Sequence, residues 1–189
     1  MRDIERRTFL GAAIGAFPLA LMGQSIKSAT QGKAVRVASG EDRFGEHRTL
    51  GVSSTNFKVS TQDSSGGLFI MEHTNRKKGG PTRHLHHNQD EWWYVLEGEY
   101  IVEVGSERFR LHPGDSVLGP REVPHAWAFV GEGQGRILLS FAPANNIEDY
   151  FRLILQKSGG AYPSPNNAQE AQVLREYGME LIGPALALE

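Results

Sequence analysis

The chain has 189 residues, enough for one domain with a substantial core, and a formal charge of −2 with no basic stripe or block, which argues against nucleic acid as a partner. It has no cysteine, so no disulfide braces the fold and no thiolate serves as nucleophile or metal ligand. His-x-His and Pro-Gly-Asp each occur once, so there is no internal repeat.

At the N-terminus, Arg2, Arg6 and Arg7 precede an apolar run from Phe9 to Met22. The run is too short and too glycine-rich for a stable membrane span. Arg6-Arg7-Thr8-Phe9-Leu10 resembles the core of a twin-arginine export signal, with a small-x-small cleavage site at Gly23-Gln24-Ser25. An amphipathic first helix is the alternative, but no polar face repeats at helical spacing. The chain therefore divides into a signal at 1–25, a polar linker or arm at 26–46, a β domain at 47–145 and a helical tail at 146–189. The expectation is export to the periplasm or beyond, with no membrane partner once the signal is removed. Such export carries folded proteins, so a metal loaded inside the cell would be protected from copper, which heads the affinity order.

Strands are predicted at 55–60, 68–73, 82–86, 92–96, 100–104, 108–111, 116–118, 125–130 and 136–141. Glu97-Gly98-Glu99, Gly105-Ser106-Glu107, Pro113-Gly114-Asp115, Pro120 and the stretch from Gly131 to Gly135 punctuate them. Many short strands at close spacing predict an all-β sandwich or barrel. Tyr100, Val102 and Val104 alternate with Ile101 and Glu103, giving that strand one mainly apolar face. In the tail, Asn146 caps a helix to about Lys157 that stops at Gly159-Gly160. Asn167 and Glu170 open a second helix that ends at Gly178. Their apolar faces (Phe151, Ile154 and Leu155; Val173, Leu174 and Tyr177) are expected on the outside of the barrel or on a second subunit.

Most of the chemistry lies between Gly79 and His125. His84 and His86 stand at i and i+2, so an extended strand presents both imidazoles on one face. Glu91 lies at the wrong parity for an unbroken strand, but the turn formers from His87 to Asp90 can reset the register. His125, Trp127 and Phe129 share one face of a later strand. Three imidazoles and one carboxylate form a mixed nitrogen and oxygen shell. It suits iron, manganese, nickel, copper or zinc rather than calcium, and leaves one or two positions for water, substrate or dioxygen.

These residues resemble the two motifs of the cupin superfamily. The first runs Gly79 or Gly80, His84, His86, Glu91, Gly98, and the second Gly114, Pro120, His125. Glu122 replaces the usual glycine of the second motif and Phe129 its usual asparagine. The likeness extends to roughly 52–143. It implies a cupin double-stranded β-helix, or jelly-roll barrel, with His84, His86, Glu91 and His125 as ligands to one divalent iron, manganese, nickel or copper ion. The run Asp90–Tyr100 is most similar to single-domain cupins of the quercetin-dioxygenase type. That likeness implies a second role for Glu91, as acceptor of a substrate hydroxyl proton. The two-domain oxalate-processing cupins would show both motifs twice. A homodimer is a further implication.

Trp93 shares the face of Glu91, and Trp127 and Phe129 share that of His125. Core packing is the ordinary role of such aromatics, and the alternative is a wall for a planar substrate. His112 reads as a turn residue, His87 as solvent-facing or an outer partner, and His47 and His73 as structural. The expected function is a metal-dependent dioxygenase acting on an aromatic or enolic small molecule such as a flavonol. The alternative is a non-catalytic exported cupin that binds metal or a small ligand. A sugar isomerase or epimerase is weaker, because no lysine, histidine or tyrosine pair is evident. Fold alone does not choose among them.

Overall fold

The computed structural model describes residues 33–157 and 161–188; the predicted signal at 1–25 and the helix stop at Gly159-Gly160 lie outside the described residues. Short strands broken by glycine and proline turns fold back on one another. In chain order they are β1 (Arg48–Leu50), β2 (Ser53–Val59), β3 (Phe69–Asn75), β4 (Thr82–His86), β5 (Asp90–Glu97), β6 (Tyr100–Val104), β7 (Glu107–Leu111), β8 (Ser116–Gly119), β9 (His125–Phe129), β10 (Gly135–Ala142) and β11 (Met179–Ala185). One sheet has the order β1-β2-β3-β10-β5-β8 and the other β11-β4-β9-β6-β7, with every pairing antiparallel. From β3 to β10 the chain passes repeatedly from one sheet to the other. The result is the expected all-β jelly roll.

Alternation along the strands decides what fills the space between the sheets. In β5 the residues Glu91, Trp93 and Val95 are buried while Trp92, Tyr94 and Leu96 are not. In β10 the inward residues are Ile137, Leu139 and Phe141. The facing sheet contributes Tyr100, Val102, Val104, Trp127 and Phe129, as the period-2 pattern of β6 predicts. An aromatic group forms one end of this core. Phe69 meets Phe57 edge-on at 4.9 Å and stacks on Phe141 and Phe151 at 6.0 and 5.9 Å. Gly79-Gly80 lets the chain enter β4 flat against β9. Gly79 exchanges two backbone hydrogen bonds with Phe129, and a Cβ at Gly80 would lie 1.8 Å from the Trp127 carbonyl oxygen.

The stretch 33–47 forms no strand but is tied to β2. Asp42 accepts hydrogen bonds from the backbone N–H groups of Phe44, Glu46 and Phe57 and pairs with the buried Arg48. Burial opposes ionisation of Asp42, yet these donors together hold its carboxyl below the usual range.

The tail departs most from expectation. Helices α1 (Ile147–Lys157) and α2 (Ala168–Glu176) form where the capping pattern predicts, and Asn167 accepts from the N–H groups of Gln169 and Glu170. They do not lie outside the barrel. Tyr150, Phe151, Ile154 and Leu174 are buried in the main core. Glu148 holds α1 in place, accepting from the Thr61 N–H at 2.7 Å and from the Ser60 and Thr61 hydroxyls, both at 2.8 Å. After Gly178 the chain returns as β11 and pairs with β4, which the helical reading of the tail did not include. The edge of β4 is thus paired by β11, while the apolar faces of α1 and α2 are buried in the core.

Candidate metal centre

Both sheets supply the site. His84 and His86 project from β4 and His125 from β9, where His84 and His125 are register partners. Glu91 projects from β5 in the facing sheet. The parity conflict between His86 and Glu91 disappears because the chain changes sheets at His87-Asn88-Gln89. The four side chains each offer a ligand atom, and these atoms lie within 4.8 Å of one another.

Glu91 Oε2 is 3.1 Å from His125 Nε2, 3.2 Å from His86 Nε2 and 3.9 Å from His84 Nε2. Two donors each about 2.1 Å from one ion and at right angles around it lie about 3.0 Å apart. The two shorter separations match that edge. In two of the three rings the opposite nitrogen is already committed. His84 Nδ1 is 2.8 Å from the Thr82 carbonyl oxygen and His125 Nδ1 is 2.9 Å from that of Val123. Each ring thus gives its Nδ1 proton to a carbonyl two residues back, which turns the Nε2 lone pair toward the centre. His125 faces acceptors on both sides, and a neutral imidazole has only one N–H. A cation between Nε2 and Oε2 resolves that conflict. Among the described residues, no lysine or arginine pairs with the buried Glu91. The three histidines and Glu91 therefore fit one divalent metal ion.

The electrostatics point the same way. Burial, reinforced by the neighbouring histidines, lowers the His84 pKa to about 3, and burial lowers that of His86. Both rings are then neutral, as ligands must be. Burial opposes the charge on Glu91, but its close contacts with His125 and His86 outweigh it and hold the carboxyl well below the usual range. Gln89 is also buried, and among the described residues neither its side-chain amide nor His86 Nδ1 has a well-formed hydrogen-bond partner.

Outer contacts set the frame. Arg121 grips Asp90 with Nε and Nη2 at 3.0 and 2.9 Å, and its N–H meets the same carboxylate at 3.0 Å. This clamp ties the turn before β9 to the start of β5, and hence His125 to Glu91. Gly119 leaves room for the Trp93 indole, which packs edge-on against His125 with centroids 5.1 Å apart. Glu122 sits at φ 64°, the left-handed region. Its N–H donates to the His86 carbonyl at 2.7 Å, and its carboxylate lies 2.8 Å from His87 Nδ1.

A cavity opens beside the ligands, lined by His73, His84, Glu91, Trp127 and, from the tail, Phe151 and Leu174. About 50 Å³ of it admits the centres of water molecules, room for roughly three to five waters. Of the three predicted wall residues, Trp127 lines this cavity. Trp93 packs beneath His125, and Phe129 packs on Tyr100 at 5.3 Å, away from it. Phe129 is drawn off because Gly98, Gly131 and Gly135 leave a slot that its ring fills. Sequence reasoning missed Tyr150, Phe151, Ile154, Leu174 and Met179 as cavity residues, and treated His73 as structural alone. The apolar helix faces were the signal, but nothing local says what they cover. His112 and His47 are exposed and remote from the cavity lining, and His87 reaches Glu122 at the surface.

A three-histidine, one-carboxylate cluster between two antiparallel sheets marks a jelly roll whose side chains could hold one metal ion. The family model described as a cupin domain matches residues 72–141, and the chain carries a cupin domain over that stretch. Uncharacterized protein MJ1618 of Methanocaldococcus jannaschii is 30% identical over 66 residues, which are 35% of this chain and 53% of that protein. Polyketide synthase CurC of Streptomyces cyaneus is 29% identical over 101 residues, 53% of this chain and 61% of that protein. The chain thus spans between half and two thirds of the length of these relatives. Among solved structures, KdgF from Halomonas sp. is similar with a TM-score of 0.49 and 21% identity, covering 55% of this chain and 90% of that one.

Proposed function

We propose that the protein is a metal-dependent cupin enzyme that acts on a small enolic or phenolic molecule, with dioxygenase chemistry as its reaction class. The observation that carries this reading is the convergence of three Nε2 atoms on Glu91 Oε2 at one end of a cavity that is otherwise mainly apolar. A bound iron, manganese, nickel or copper ion would supply Lewis acidity toward a substrate oxygen and a path for electrons to dioxygen. His84, His86 and His125 would hold the ion, and His84 and Glu91 line the cavity beside it. Glu91 is buried and lines the cavity, so once the histidines bind an ion its carboxylate would be placed to take the proton of an enol or phenol hydroxyl as that oxygen approaches. Trp127, Leu139, Phe141 and Phe151 exclude water from the apolar part of the ligand.

The cavity sets a size limit. An apolar cavity of about 150 Å³ holds one benzene ring, and this one offers about 50 Å³ on the comparable measure. Neither a three-ring flavonol nor a single aromatic ring enters unless side chains of the tail give way, so a compact enol, which needs the least yielding, is the favoured substrate class. The name of the matched polyketide synthase supports that class, since polyketides are chains of enolisable carbonyls.

A second reading is an exported cupin that stores metal or binds a small ligand without turnover, and the narrowness of the cavity favours it. Oxygen uptake by the metal-loaded protein in the presence of a panel of compact enols separates the two. Consumption that is lost in Glu91→Gln with metal retained supports the enzyme. Metal retention with no uptake by any compound and no exchangeable coordinated water supports the store. Export through Arg6-Arg7, and pairing of two copies, belong to the same proposal. Fractionation of cells expressing the full chain and its Arg6→Lys/Arg7→Lys variant tests the first, and sedimentation the second.

A further inference from the structure

One polar group that lines the cavity belongs to neither the metal centre nor a firm hydrogen bond. His73, on β3, is 1% exposed and lies against Trp127 with ring centroids 5.4 Å apart. Its Nδ1 is 3.2 Å from Thr55 Oγ1, and its Nε2 is 3.2 Å from Met71 Sδ. A thioether has no proton to give, so the contact with sulfur assigns the ring proton to Nε2. Nδ1 is then bare and accepts from the Thr55 hydroxyl. Among the described residues, the acceptor of this N–H is a sulfur, the weakest acceptor a side chain offers. The hydroxyls of Thr82 and Tyr162 in the same wall are better served: that of Thr82 donates to the Pro163 carbonyl at 2.7 Å, and that of Tyr162 lies 3.2 Å from Ser53 Oγ.

We propose that His73 is the second polar contact of the ligand at this centre, donating its Nε2–H to a ligand oxygen in place of Met71 Sδ. This rests on the metal-dependent reading above and sharpens it. The favoured ligand carries two oxygens on a short apolar frame, as an enolised 1,3-dicarbonyl does, one oxygen toward Glu91 and His84 and the other toward His73. Burial lowers the His73 pKa to about 4, so the ring is neutral and keeps this single N–H at ordinary pH. Exchange of a sulfur acceptor for an oxygen is favourable, because a buried donor gains most from the better partner. Thr55 acts as a positioning residue, since its hydroxyl holds the tautomer.

Titration of the cobalt(II)-loaded protein with acetylacetone tests this, with affinity read from the visible cobalt bands and metal content measured again afterwards. His73→Phe should keep its cobalt and bind acetylacetone about tenfold more weakly, the worth of one good hydrogen bond. His73→Gln, which retains an N–H donor, should recover most of that loss. Thr55→Val leaves the ring in place and frees its tautomer, so it should also weaken binding, and it decides the matter if His73→Phe does not fold. Equal affinity in the wild type, His73→Phe and Thr55→Val, all with cobalt bound, would overturn the role of His73 and leave the metal reading intact. A wild type that takes up no cobalt would overturn both.

Discussion

His84 and His125 face each other across neighbouring antiparallel strands, paired in register with ring centroids 4.7 Å apart. Each ring leans on the carbonyl two residues before it, so the backbone of its own strand sets its orientation. The centre is therefore preorganised by main-chain geometry, and changing one ligand should cost metal more than fold.

Acid should unfold the metal-free protein earlier than a protein without buried histidines. An unfolded chain protonates His73 and His84 near pH 6.5, whereas burial lowers their folded pKa values to about 4 and about 3. Between those limits the unfolded state binds more protons, so stability is full above pH 6.5 and falls as pH drops toward 4. For His73 alone the loss is at most on the order of 3 kcal/mol. Urea midpoints from pH 7.5 to 4.5 should decline steadily for the wild type and less for His73→Phe. A flat profile would mean that these rings are already solvated.

Glu122 holds a left-handed conformation at φ 64° where the resembling motif has glycine. A non-glycine residue there costs about 1–3 kcal/mol, while its surface pairing with His87 returns about 1 kcal/mol or less. Glu122→Gly should therefore leave stability unchanged or raise it by up to about 1 kcal/mol. A melting temperature several degrees lower would show that the contact with His87 holds the turn.

Leu174, the buried residue of α2, closes the cavity from the tail side. Leu174→Ala should lower stability by about 2–4 kcal/mol and enlarge the space beside the centre. Catechol should then bind the cobalt(II) protein more tightly than it binds the wild type. Unchanged or weaker catechol binding in a folded variant would show that the tail does not set the size limit.

The barrel and the convergence of His84, His86, Glu91 and His125 were readable because both obey local rules. Period-2 alternation marks β5, β6 and β10, and an i, i+2 histidine pair needs only an extended strand to converge. Glu91 needed one further inference, a change of sheet at His87-Asn88-Gln89. The cavity was far less readable. Phe129 shares a strand face with His125, yet it packs into the slot left by Gly98, Gly131 and Gly135, a relationship spread over three turns. Residues 179–185 carry little strand signal and gain their pairing only because β4 presents an open edge. For the same reason, the apolar faces of α1 and α2 announced burial without saying against what.

The most direct test is the metal content of the folded protein, purified without chelators or nickel affinity and compared with His84→Ala. The expected result is close to one equivalent of iron, manganese, nickel or copper per chain, lost in a variant whose circular dichroism is unchanged. Absence of bound metal in the wild type, even after reconstitution with each ion, would contradict the account and leave a jelly roll whose buried histidines serve another purpose.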